Sequence, residues 1–264
     1  MPLQNSVSGE LSSPSPNLDV MVPEDRHPTT PPPGEWVMVQ RWHDLLFAHW
    51  RCTVEDLRPL IPRPLEIETY DGSAWIGVIP FYMSGVRMRA TPPVPTAHAF
   101  EELNVRTYVT LDGRPGIWFF SLDCASSLAV IGARVGVHLP YYRATMNMTR
   151  TAGAVEYESR RWSLSGPPAA FAAMYRGTGV EFIPAPGSLD HFLTERYCLY
   201  SSDGQRIWRG DIIHPRWRLQ TAEAAISINS MLAAASVRPL AAQRPLLHFA
   251  AFQDVRFWWP QRVR

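Results

Sequence analysis

The chain predicts a mainly β, α+β protein whose antiparallel sheet is curved or closed, with short helices packed outside it. Three observations lead there. Most of the chain after residue 34 reads as short runs of branched and aromatic residues in period-two alternation. Two pairs of such runs are joined by Asp71-Gly72-Ser73 and Asp112-Gly113-Arg114-Pro115-Gly116, which are hairpin signals. Long helical stretches are few, so the helices cannot form a layer of their own.

The elements follow in order. Residues 1–34 are rich in Pro and Ser and end in Pro31-Pro32-Pro33-Gly34, which predicts a disordered or loosely attached tail. Residues 35–264 contain no linker and predict a single domain. Val37 to Trp50 alternates so that His43, Leu45, Phe47 and His49 share one face. Thr53, with Asp56 three residues on, starts a short helix that Pro62 and Pro64 stop. Leu65–Tyr70 with Ala74–Tyr82 form one expected hairpin, and Leu103–Leu111 with Ile117–Asp123 a second. Ser126–Val137 is a weak helix candidate, interrupted by Gly132 and Gly136. Strands are expected at Tyr141–Arg150 and Ala154–Leu164, and a helix capped by Ser188 through Arg196. Gln205–Leu219 and Leu246–Trp259 read as strands; Thr221–Ala235 fits strand or helix.

Composition removes several function classes. All 25 basic residues other than histidine are arginine, so no lysine is present to form a Schiff base or to serve a phosphate-binding loop. A formal charge of +1 with no run of arginines argues against nucleic acid as a partner. Cys52, Cys124 and Cys198 are odd in number and far apart, which suits reduced thiols in a cytoplasm. No segment reaches the roughly 18 apolar residues that a membrane-spanning helix requires. No G-x-S-x-G elbow, P-loop or dinucleotide-binding glycine pattern occurs. His43 with His49, and His191 with Glu195, lack a third ligand at motif spacing, so neither a metal nor another cofactor is expected.

The sharpest local signal is Glu102 to Val109. As a strand it places Glu102, Asn104, Arg106 and Tyr108 on one side and Leu103, Val105, Thr107 and Val109 on the other. The polar side either faces water or lines a cavity. In a cavity, Arg106 could hold a carboxylate in a charge-assisted pair and Glu102 could move a proton, unless the two simply neutralise one another. Ile117 to Asp123 adds Phe119, Ser121 and Asp123 to one face, where Asp123 caps a helix or joins the polar set.

Several ordered segments carry a family resemblance: Trp42 to Trp50, Leu60-Ile61-Pro62-Arg63-Pro64-Leu65, Glu102 to Tyr108, Trp118 to Asp123, Leu139-Pro140-Tyr141-Tyr142 and Leu193-Thr194-Glu195-Arg196-Tyr197. Together they resemble the uncharacterised YqjF-like family of the acetoacetate-decarboxylase-like superfamily, over roughly Trp36 to Pro260. The resemblance implies a cone-shaped antiparallel β-barrel around a small-molecule cavity, with Glu102 as the cavity glutamate. In the decarboxylase, two lysines follow a proline, the first forming the Schiff base; here Pro140 is followed by Tyr141 and Tyr142, so that mechanism is unavailable. Two functions compete, beside a structural or protein-interaction role. One is a binding protein for a small organic acid or keto compound, using Asn104, Arg106, Tyr108, Phe119 and Ser121. The other is a lysine-independent lyase, isomerase, dehydratase or cyclase, with Glu102 as acid/base and Tyr141 or Tyr142 as hydrogen-bond donor. A homo-oligomer is compatible with either.

Overall fold

The computed structural model describes residues 26–92, 98–126, 138–162, 164, 166–240 and 244–264. Strand β1 (Met38–Cys52) pairs antiparallel with β12 (Leu246–Phe257) on one side and with β3 (Ala74–Met88) on the other. Next to β3 lies β4 (Phe100–Leu111), which turns into β5 (Arg114–Cys124). The turn is Asp112-Gly113, with φ of 51° and 75°, the left-handed pair that a tight hairpin needs. Beyond β5 the sheet divides. β5 runs parallel to β6 (Tyr141–Thr151) and to β9 (Cys198–Ser202).

Both branches return to β12. One passes antiparallel through β7 (Ala154–Arg161), β8 (Ala170–Phe182) and β11 (Leu219–Asn229). The other passes through β10 (Ile207–Ile213). The pairings β1-β3-β4-β5-β9-β10-β12 therefore trace a circuit, held at β5–β9 and β10–β12 by two residue pairs each. Short strands β2 (Glu66–Ile67) and β13 (Gln261–Arg262) extend β4 and β10. The helices are short: α1 (Val54–Leu57), α2 (Leu189–Thr194) and α3 (Met231–Ala234). Thr53 and Ser188 cap the first two through their side chains, as their spacing predicts. No helix among the described residues is long and apolar enough to cross a membrane.

This topology buries both faces of the central strands. Leu46, Ala48, Val78, Leu103 and Val105 pack against Tyr157 and Phe171 of the outer branch. On the opposite side, Leu45, Phe47, Ile79 and Phe81 gather around Trp217. The polar side of β4 therefore faces the interior rather than water, with Glu102 3% and Arg106 6% exposed.

Simple alternation misplaces some residues. In β1, Asp44 has φ of 50°, a left-handed conformation that Asp tolerates better than most residues. Its carbonyl accepts the Tyr175 hydroxyl at 2.8 Å, and its carboxylate accepts Arg150 Nε at 2.5 Å. Across this irregularity the inward set changes from Gln40 and Trp42 to Leu45 and Phe47. His43 thus leaves the face expected for it and lies outside, its Nε2 2.7 Å from Ser84 Oγ and its ring against Tyr82 and Phe252. A second shift in β5 sets Phe119 opposite Arg106 but Leu122 opposite Asn104. Ser121 pairs with Val105 on the other face, and Asp123 lies there too, bound by Arg161 at 2.6 and 2.8 Å.

Other expectations change as well. β2 pairs with β4, and the first expected hairpin is reduced to a Tyr70–Ser73 bridge, because β4 offers β2 a free edge. Thr221–Ala235 resolves into most of β11 followed by α3, and the α2 helix ends at Thr194. β8 and β9 had no sequence expectation. The helix candidate Ser126–Val137 lies outside the described residues from 127 on, as do residues 1–25 of the tail. From Arg26 the chain follows the domain: Arg26 contacts Glu68, and Trp258 Nε1 donates to the Gly34 carbonyl at 3.0 Å.

Candidate functional site

Inside the circuit lies a cavity of about 590 Å³. Its wall is mostly apolar, with Trp42, Phe47, Phe81, Phe119 and Trp217 the main aromatic contributors. Against this wall a few polar groups converge: Glu102, Asn104 and Arg106 from β4, Tyr141 from the start of β6, and Thr194 and Arg196 from the end of α2 and just beyond it.

Arg106 is the most unusual of them. No carboxylate lies within ion-pair distance of it among the described residues. Its Nη2 makes a long 3.4 Å bond to the Leu193 carbonyl, the Tyr108 hydroxyl is its side-chain neighbour, and its buried Nε has no partner among the described residues. Its guanidinium lies 5.5 Å from the Phe47 ring centre. Burial lowers its pKa; Tyr108 opposes that shift and Arg196 adds to it. A desolvated cation without a counter-ion carries a large cost that an anionic ligand would relieve. Arg196, in contrast, is paired: it donates to Glu68, which also takes Arg26 at 3.0 Å. Burial and Arg196 together bring the Arg26 pKa down to about 10 despite Glu68, so positive charge is crowded at this end of the cavity.

Glu102 forms the second polar station. The Tyr141 hydroxyl donates to its Oε2 at 3.0 Å. Burial pushes the Glu102 pKa up to about 8, against the pull of the Tyr141 bond and with help from the Asp123 charge. The carboxyl is therefore largely protonated at neutral pH and can give as well as take a proton. Burial also holds the Tyr141 phenol well above its ordinary pKa, so it acts as a donor rather than a base. Between the two stations, the buried Asn104 Oδ1 has no partner among the described residues, and neither has Trp217 Nε1 in the wall.

The structure brings together Glu102, Asn104, Arg106, Phe119 and Tyr141 from the set that the sequence suggests. It separates three others. Tyr142 points away from the cavity, with the Arg161 guanidinium 4.0 Å above its ring, because neighbours on a strand face opposite ways. Ser121 lies behind the wall. Tyr108 stands beyond the cavity floor, 2.6 Å from His49 Nε2 and donating to the Leu193 carbonyl at 2.8 Å. With that proton committed, the Nε2 contact requires His49 to carry its hydrogen there, and burial lowers the His49 pKa well below its ordinary value. Thr194, Arg196, Gln40 and Trp217 are cavity residues that pattern reading missed; Thr194 and Arg196 were signalled only by their place in a family segment. Among the described residues no cluster of three or more metal-ligating side chains occurs, and His43 and His49 sit on opposite faces.

The model of DUF2071, a family of uncharacterised conserved proteins, matches residues 39–254. The chain belongs to the DUF2071 family. This DUF2071 chain is 48% identical over 227 residues to the uncharacterised protein YqjF of Bacillus subtilis (strain 168), covering 86% of this chain and 93% of that one. Solved structures of similar fold include an acetoacetate decarboxylase-like enzyme from Sphingomonas wittichii RW1, with a TM-score of 0.60 and 13% identity over 88% of this chain and 94% of that one. The enduracididine biosynthesis enzyme MppR in complex with pyruvate gives 0.62 and 12% over 94% and 93%, and the acetoacetate decarboxylase of Legionella pneumophila 0.60 and 12% over 91% and 94%. At such identities the likeness shows a shared fold and leaves the chemistry to the site.

Proposed function

We propose that this DUF2071 protein binds a small organic acid or keto compound in the 590 Å³ cavity, with Arg106 holding the acid group. The observation that carries this reading is a buried guanidinium with no carboxylate partner among the described residues, opening onto an apolar cavity. The related fold of MppR, described with pyruvate bound, supports a ligand of this kind. Isothermal titration of the wild type and Arg106→Met with pyruvate, acetoacetate and larger carboxylates tests it. Binding should fall by at least tenfold in the folded variant, the usual loss when a charged hydrogen bond is removed. Equal affinity in the two proteins rules out the anchor.

The Glu102–Tyr141 pair favours a second reading, in which the bound compound undergoes proton transfer without a Schiff base. Glu102 would donate or accept the proton, and Tyr141 would stabilise an oxygen on which charge develops. Incubating a metabolite extract with wild type and with Glu102→Gln, and following it by mass spectrometry, separates the readings. Conversion by wild type alone supports catalysis; equal conversion by both removes Glu102 from it. All three cysteines are free and buried, in keeping with action in a reducing compartment.

A further inference from the structure

Resting on the organic-acid reading above, we infer that the acid is elongated and amphipathic: its carboxylate sits at Arg106 on the cavity floor and an apolar body several carbons long fills the shaft above. The register of β4 gives the depth. Phe100, Glu102, Asn104 and Arg106 face Met83, Phe81, Ile79 and Gly77 in turn, so the polar stations succeed one another along a single line. The mouth lies beyond Phe100, where Met88 and Trp259 line the cavity while remaining 39% and 61% exposed. At about 3.3 Å per residue, Arg106 lies on the order of 20 Å of strand below Phe100.

The walls between mouth and floor are apolar: Trp42, Leu45, Phe47, Ile79, Phe81 and Met83. A three-carbon keto acid on Arg106 would leave most of the 590 Å³ to be filled by water against these walls. Such water is unfavourable, because each molecule needs two to four polar partners. An apolar body removes the same surface from water. Glu102 lies four residues up the strand from Arg106, about 13 Å along the backbone. No contact joins the two side chains, and the Arg106 charge is not among the influences on Glu102. An acid held by Arg106 therefore presents to Glu102 and Tyr141 a group remote from its own carboxylate, such as a carbonyl or hydroxyl on the chain.

The test is calorimetric titration of the full chain with straight-chain carboxylates from acetate to decanoate, with pyruvate and acetoacetate, and with 1-alkanols of matched length. Kd should fall about fourfold for each added methylene, which is ~0.8 kcal/mol converted at RT of 0.59, and then level off once the shaft is full. Each longer acid should bind at least tenfold more tightly than its alkanol, and Arg106→Met should erase that difference while keeping the dependence on length. The acid–alkanol comparison in wild type serves even if the variant does not fold. A flat series with Arg106-dependent binding of pyruvate or acetoacetate overturns the elongated ligand and leaves the organic-acid reading standing. Length dependence with no preference for acids overturns Arg106 as the head site. Absence of binding by every acid overturns both readings.

Discussion

Glu102 sits buried where the sequence leaves its strand face either in water or in a cavity. Water would hold its carboxyl at 4.5, whereas burial beside Asp123 raises it to about 8. Between those values the folded chain keeps a proton that the unfolded chain releases. The stability this group contributes is therefore complete below about pH 4.5 and declines as pH rises through 8. The melting temperature of wild type should fall relative to Glu102→Gln between pH 5 and 8.5, by roughly 2–4 °C for each kcal/mol of linkage. A constant difference across that range would show that Glu102 is not protonated in the fold. His49 and His214 act in the other direction. Burial lowers the pKa of both, so their contribution is present above 6.5 and lost on acidification, in wild type and variant alike.

At the scale of the element, the irregularities in β1 and β5 decide which side chains see the cavity. Asp44 holds the first one in a left-handed conformation. A β-branched residue there meets the steric penalty that Asp and Gly largely avoid. Asp44→Val should lower stability by about 1–3 kcal/mol in urea unfolding, whereas Asp44→Gly should cost less despite losing the exposed-side contact with Arg150. Equal losses in the two variants would place the cost in the ion pair rather than in the backbone. The turn Asp112-Gly113, the caps at Thr53 and Ser188 and the polar face of β4 were all legible in sequence, because each depends on residues within a few positions of one another. The His43 and Ser121 placements were not. A one-residue irregularity leaves no mark in the alternation on either side of it, yet reverses the parity.

Across the whole molecule, the chain from Arg26 to Gly34 ties the domain together, with its Arg26 end near the cavity floor and its Gly34 end on Trp258. Glu68 receives Arg26 from this segment and Arg196 from just beyond α2, with the Arg196 side chain completely buried. Glu68→Gln would leave both cations without their carboxylate, and removing one member of a buried ionic group typically costs about 3–5 kcal/mol. We expect a loss near the lower end of that range, since Glu68 is 15% exposed, together with faster proteolysis around Arg26 in a time-course digest. Unchanged stability and digestion would mean that the segment is held chiefly by its contacts with Phe192 and Trp258.

The sequence by itself determined the strand-rich class, the hairpin turns, the absence of a Schiff-base lysine and the candidacy of Glu102, Asn104 and Arg106. These are properties of composition and of neighbours along one strand, and local sterics suffices for them. Only the tertiary structure decided that this polar face looks inward, that Tyr141 joins it while Tyr142 does not, that Arg106 has no carboxylate partner among the described residues while Arg196 is paired, and that burial raises the pKa of Glu102. Each of those outcomes depends on which distant segment supplies the facing wall, and burial and charge pairing come into being only when those segments meet.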